Sequence, residues 1–74
     1  MYNINRKQVH YFTLCVGAFA MEKNISHVNA VNYLYKYKGL DFLVDCFDAE
    51  HTLSLSDAVD DLTLVCKNNG GSIE

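Results

Sequence analysis

Between Val9 and Met21 the sequence carries two apolar sets in helical register. Val9, Phe12, Val16 and Phe19 follow the i, i+3, i+7, i+10 spacing of one helical face. Tyr11, Leu14, Ala18 and Met21 repeat that spacing. At about 100° per residue the two sets lie on roughly opposite sides of one rod. A helix that is apolar on both sides is either central to its fold or covered by something outside its own chain. The whole chain is 74 residues long, too short for its other helices to surround the first. The expectation is that Tyr11, Leu14, Ala18 and Met21 contact a second chain.

The rest of the sequence reads as further helix. Punctuation is sparse, with no proline and with breaks at Asn24, Gly39, 51–56 and Asn68-Asn69-Gly70-Gly71. Ser26 is a good N-cap for a second helix, in which Ala30, Val31, Leu34, Tyr35 and Tyr37 share one arc. Gly39 offers a left-handed stop. Asp41 caps a third, short helix whose inner face is Phe42, Leu43, Cys46 and Phe47. Ser54 or Ser56 opens a fourth, with Asp57, Asp60 and Asp61 near the positive end of its dipole. Its inner stripe is Leu55, Val59, Leu62 and Cys66, and Lys67 with Asn69-Gly70 ends it. A rival reading makes short strands of 52–55 and 62–65, but two isolated strands are rarely stable alone. The prediction is therefore all-α, a compact bundle of about four short helices over approximately 5–23, 26–38, 41–50 and 55–68, forming one domain over 1–74.

Size and charge bear on partners. A chain this short buries only ~60% of the surface that its unfolded form exposes, and small folds add disulfides, a metal or another chain. Cys15, Cys46 and Cys66 are odd in number and form no C-x-x-C, so three reduced, buried thiols in a cytoplasmic protein are expected. Association with another chain is then the leading source of the missing stability. Residues 1–38 carry five bases and one acid, net +4, whereas 39–74 carry one base and eight acids, net −7. The halves are suited to attract each other, and the acidic half to steer a basic partner. With a sequence pI near 5.4 there is no broad nucleic-acid footprint. No apolar run reaches the ~18 residues of a membrane span. Arg6 and Lys7 precede an apolar stretch and Ala18-Phe19-Ala20 has the form of a leader cleavage site, but His10, Tyr11 and Thr13 interrupt it.

Few residues suggest chemistry. Asp48 and His51, three apart with Thr52 following, have the spacing of an acid orienting a base or of two ligands sharing a metal. The plainer reading is a solvated acid and a helix terminus at which His51 or Thr52 bonds free backbone groups. Asp57, Asp60 and Asp61 lack the pattern of a calcium loop and read as dipole-stabilising acids. The three His and three Cys show no zinc spacing. No metal, cofactor or catalytic residue is predicted. Lys36-Tyr37-Lys38 with Tyr33 and Tyr35 interleaves bases and rings, a faint nucleic-acid signal; Tyr35 and Tyr37 read more simply as core and rim.

Asn24-Ile25-Ser26, Gly39-Leu40-Asp41-Phe42-Leu43 and Phe47-Asp48-Ala49-Glu50-His51-Thr52, with the aromatic-rich first segment, resemble an uncharacterised family of small bacterial helical proteins. The resemblance spans nearly the whole chain. The family's last block reads aspartate-x-leucine-histidine-threonine, and Glu50 stands where leucine is usual. By helical phase Glu50 follows Leu43 by seven and points inward. Either the third helix has ended by then, or a cation meets the carboxylate at an interface, because a buried unpaired carboxylate is costly. The resemblance brings no enzyme activity. It implies genes often found beside ADP-ribosyltransferase-like proteins, the arrangement of a toxin and its small neutralising partner.

The expected function is a small non-enzymatic protein-interaction module, antitoxin-like, whose partner is a second copy or a neighbouring gene product. Tyr11, Leu14, Ala18 and Met21, with Asp48, Glu50 and His51, are its candidate contact residues. The alternatives are a nucleic-acid-binding regulator using the second helix and a small enzyme built on Asp48 and His51. Neither nucleic acid nor membrane is the expected partner.

Overall fold

A computed structural model describes residues 5–71, which form helices and turns with no strand among them. The elements are α1 (Arg6–Lys23), α2 (His27–Lys36), α3 (Gly39–Asp45), α4 (Phe47–Glu50) and α5 (Leu55–Asn68). Residues 52–54 form the loop before α5, and 62–65 lie inside α5, so the strand reading is overturned. Capping decides the helix starts. The Asn5 side chain accepts from Gln8 N at 2.9 Å while Asn5 N donates to Gln8 Oε1 at 3.0 Å, a reciprocal capping box. Ser26 accepts from Asn29 N and Ser54 from Asp57 N, each at 3.1 Å. Asn24 ends α1 in the left-handed region at φ 56.

The third predicted helix is two helices. The chain breaks at Cys46 (φ −112, ψ 19), which turns Phe47 onto α1: its ring meets Tyr11 at 5.6 Å and Phe12 at 6.4 Å. Two further expectations there are corrected. Asp41 lies inside the first turn of α3 rather than capping it, and the residue in the left-handed region is Lys38 at φ 72, not Gly39. Gly39 is helical and buried. A Cβ on it would sit 2.7 Å from Leu34 Cδ2 and 3.1 Å from Cys66 Sγ. The glycine is needed for close approach, not for a turn.

α1 packs on α2 and α5, and α3 bridges α2 and α5. Phe19, Leu34, Leu43 and Leu62 are fully buried between them, with Cys15, Val59 and Cys66. Each large apolar side chain so buried contributes roughly 1.5–3 kcal/mol. Phe19 stacks on Tyr33 at 5.9 Å, and Tyr33 meets Tyr37 at 4.8 Å. Tyr35, expected on the inner arc, is 65% exposed. The buried arc of α2 centres on Ala30 and Leu34, and Tyr33 and Tyr37 lie nearer to it by helical phase. Beyond α5, Gly70 (φ 101) turns the chain so that Gly71 N donates to Cys66 O at 2.8 Å. A Cβ on Gly71 would collide with the Tyr33 hydroxyl. All three cysteines are free; Cys15 and Cys66 are buried and Cys46 is half-buried. Among the described residues no helix is long and apolar enough to cross a membrane.

Candidate functional site

The second apolar set of α1 divides. Leu14 is 44% exposed and Met21 84%. Tyr11 and Ala18 are half-buried and pack on the core. The core reaches further around α1 than two opposite stripes allow, because Phe47 covers Tyr11 from α4. What stays open of the predicted contact surface is Leu14 and Met21.

A larger apolar feature lies on another side of α1. Val9, Phe12 and Val16 of α1, Val31 of α2, and Leu40 and Val44 of α3 line a groove of about 340 Å³, with Thr13 and His27 as its polar members. The Thr13 hydroxyl donates to Val9 O at 2.8 Å, so its proton is already committed. His27 stands close to α1, because a Cβ on Gly17 would come within 3.3 Å of its Nε2. The rim is apolar as well: Val9 is 47% exposed and Val31 41%. Four of the lining residues are valines, whose short, stiff side chains leave the space between three helices unfilled. Periodicity alone placed Val9, Val16 and Val31 inside and gave no sign that they border a gap. The signal lay in side-chain size.

Asp48, Glu50 and His51 have different surroundings. Asp48 is exposed. The His51 ring stacks on Phe47 at 4.6 Å, and its Nδ1 lies 2.7 Å from Phe47 O. The Thr52 hydroxyl donates to Ala49 O at 2.7 Å. His51 and Thr52 therefore serve the carbonyls at the end of α4, the plainer of the two readings. Lys36 lies over the Tyr37 ring at 5.3 Å, and Lys38 meets Asp41 at 4.0 Å on the surface, a pair that contributes little to stability.

Glu50 turns inward and is only 6% exposed, although the break at Cys46 puts it on a different helix from Leu43, so continuous helical phase is not what aims it. Among the described residues of this chain no cation is paired with it. Its neighbours are instead Asp61 and Asp57 of α5 and Tyr11 and Cys15 of α1. Burial first, and then Asp61, which shares its proton and repels its charge, push the Glu50 carboxyl up to about 7; Asp57 adds repulsion. Protonated, Glu50 is a carboxylic acid able to donate toward the neighbouring Asp61 carboxylate. Glu50 Oε1 and the Tyr11 hydroxyl are both buried without a well-formed hydrogen bond. Burial also raises the Tyr11 hydroxyl and the Cys15 thiol above their ordinary ranges. Sequence spacing pointed to Glu50 but not to Asp61, which arrives from a different helix. No group of three or more His, Cys, Asp or Glu among the described residues is arranged to hold a metal ion.

No curated protein and no solved structure matches the chain. Residues 10–69, from the first helix to the end of the last, match the family model described as Protein of unknown function (DUF3791). The acid cluster and all of the groove's lining residues except Val9 fall within that span, and the chain belongs to this family.

Proposed function

We propose that this chain is a small non-enzymatic protein-interaction module that receives an amphipathic helix of a partner protein in the groove between α1, α2 and α3. The apolar groove, with its exposed valine rim, is the observation that carries the reading. Helix-in-groove recognition needs an apolar trough that accepts anchors at i, i+3, i+4 and i+7. Charge adds an orientation. α1 and α2 bring Arg6, Lys7, Lys23 and Lys36 against Glu22, whereas α3 brings Asp41 and Asp45. An incoming helix with acids on its α1–α2 side meets complementary charge there. The resemblance to proteins encoded beside ADP-ribosyltransferase-like genes names the partner to try first, and with it an antitoxin-like, neutralising role in the cytoplasm.

Co-expression of the tagged chain with the neighbouring gene product, followed by a mass measurement of the purified complex, tests the reading. A defined complex is expected. Val31→Glu, at the exposed rim, weakens it at least tenfold by placing a charge in the trough. Leu14→Glu, on the outer face of α1, leaves it intact. A chain that stays monomeric and emerges without the neighbour refutes the proposal. A complex sensitive to Leu14→Glu but not to Val31→Glu moves the contact to the outer face of α1.

A further inference from the structure

Away from the groove, the fold buries a carboxyl beside other acids and hangs it on its shortest helix. α4 has four residues, and a helix that short does not persist without tertiary contacts. It is joined on one side through the non-helical backbone of Cys46 and on the other through the turn at 51–53. Two things seat it: the Phe47 ring against Tyr11 and Phe12, and Glu50 against α1 and α5. Around Glu50 stand Tyr11 and Cys15 from α1 and Asp57 and Asp61 from α5, and no cation among the described residues offsets them.

We propose that α4 is a proton-held latch: the neutral Glu50 carboxyl seats it by donating to Asp61, and ionisation of Glu50 drives residues 46–54 away from α1 and α5. The physical cause is charge placement. An ionised Glu50 in the closed position is buried with a bare Oε1 and faces a second carboxylate. When the segment swings out, water hydrates the charge and the repulsion from Asp61 is relieved. Opening uncovers the Tyr11 and Phe12 rings that Phe47 otherwise covers, so the state of one proton controls an apolar surface that adjoins the groove at Phe12.

Hydrogen exchange of the 47–53 amides, compared between the wild type and Glu50→Gln at each pH, tests the latch and cancels the intrinsic pH dependence of exchange. The open carboxyl titrates at its ordinary 4.5 and the closed one at about 7. The wild type is therefore expected to exchange faster than the variant by a factor that grows about tenfold per pH unit between about 5 and 7, then levels off. These amides are also expected to be far less protected than those around Phe19 and Leu34, because α4 leaves while the core stays folded. Asp61→Asn removes the repelling charge and is expected to increase protection of 47–53 at pH 7 over the wild type. This variant keeps the test decisive should Glu50→Gln fold poorly. The latch is refuted if the 47–53 amides are as protected as the most protected ones of α1 and α2. It is equally refuted by a wild-type to Glu50→Gln ratio that does not change with pH, or by no gain of protection in Asp61→Asn.

Discussion

Gly39→Ala sets two known effects against each other. Residue 39 is the first residue of α3, and alanine is better than glycine in a helix by about 0.5–1 kcal/mol. Propensity alone therefore predicts a more stable protein. The surroundings predict the reverse. The added Cβ would lie 2.7 Å from Leu34 Cδ2, 3.3 Å from Leu34 Cβ and 3.1 Å from Cys66 Sγ. Leu34 and Cys66 are both fully buried, so neither has free space to retreat into. Forcing a methyl into a packed core costs about 1–3 kcal/mol, and the upper part of that range applies where rigid neighbours surround the site. The net expectation is a loss of about 1–2 kcal/mol. Urea unfolding followed by far-ultraviolet circular dichroism measures it. With a slope near 1 kcal/mol per molar for a chain of this size, the midpoint falls by about 1–2 M. Leu34→Ala removes Cδ2 without branching at Cβ, so Gly39→Ala in that background is expected to cost less by at least about 1 kcal/mol. A Gly39→Ala protein as stable as the parent, or equal costs in the two backgrounds, would refute the reasoning from close approach.

Glu50 makes the fold less stable as pH rises. Its carboxyl holds a proton more tightly folded than unfolded, so the contribution is complete below 4.5 and is lost as pH climbs to about 7. The shift corresponds to about 3 kcal/mol, and urea midpoints at pH 4.5 and 7.5 are expected to differ in that direction for the wild type and far less for Glu50→Gln. Ser54→Ala removes the hydroxyl that caps α5 and is expected to cost about 1 kcal/mol. Ser56→Ala, two residues further on and exposed, is expected to stay within about 0.5 kcal/mol by the same denaturation assay.

The helix starts are legible in the sequence wherever a polar side chain precedes an apolar period, because the cap interaction is local: Ser26 and Ser54 each bond a backbone N–H three residues on. The break at Cys46 is not legible. No glycine or proline marks it, and its cause is tertiary, the seating of Phe47 on Tyr11 and Phe12. Gly39 misleads for a different reason. Glycine serves both turns and close contacts, and only the neighbours Leu34 and Cys66 distinguish the two uses. The candidate site divides in the same way. The inward position of Glu50 is read from the sequence on the premise of one unbroken helix, which the break at Cys46 removes, and its pairing with Asp61 joins residues from separate helices. The groove depends on how far short side chains reach across three helices, and apolar periodicity does not encode that length.

The reversal at Gly70 and Gly71 has a consequence for any shortened form of this chain. The turn lays the backbone of residue 71 against the phenol of Tyr33, which in turn supports Phe19. Removing everything after Asn68 therefore strips a seal from the middle of the protein rather than trimming a loose tail. The damage would register first as loosening of the rings on α2, some thirty-five positions upstream of the cut.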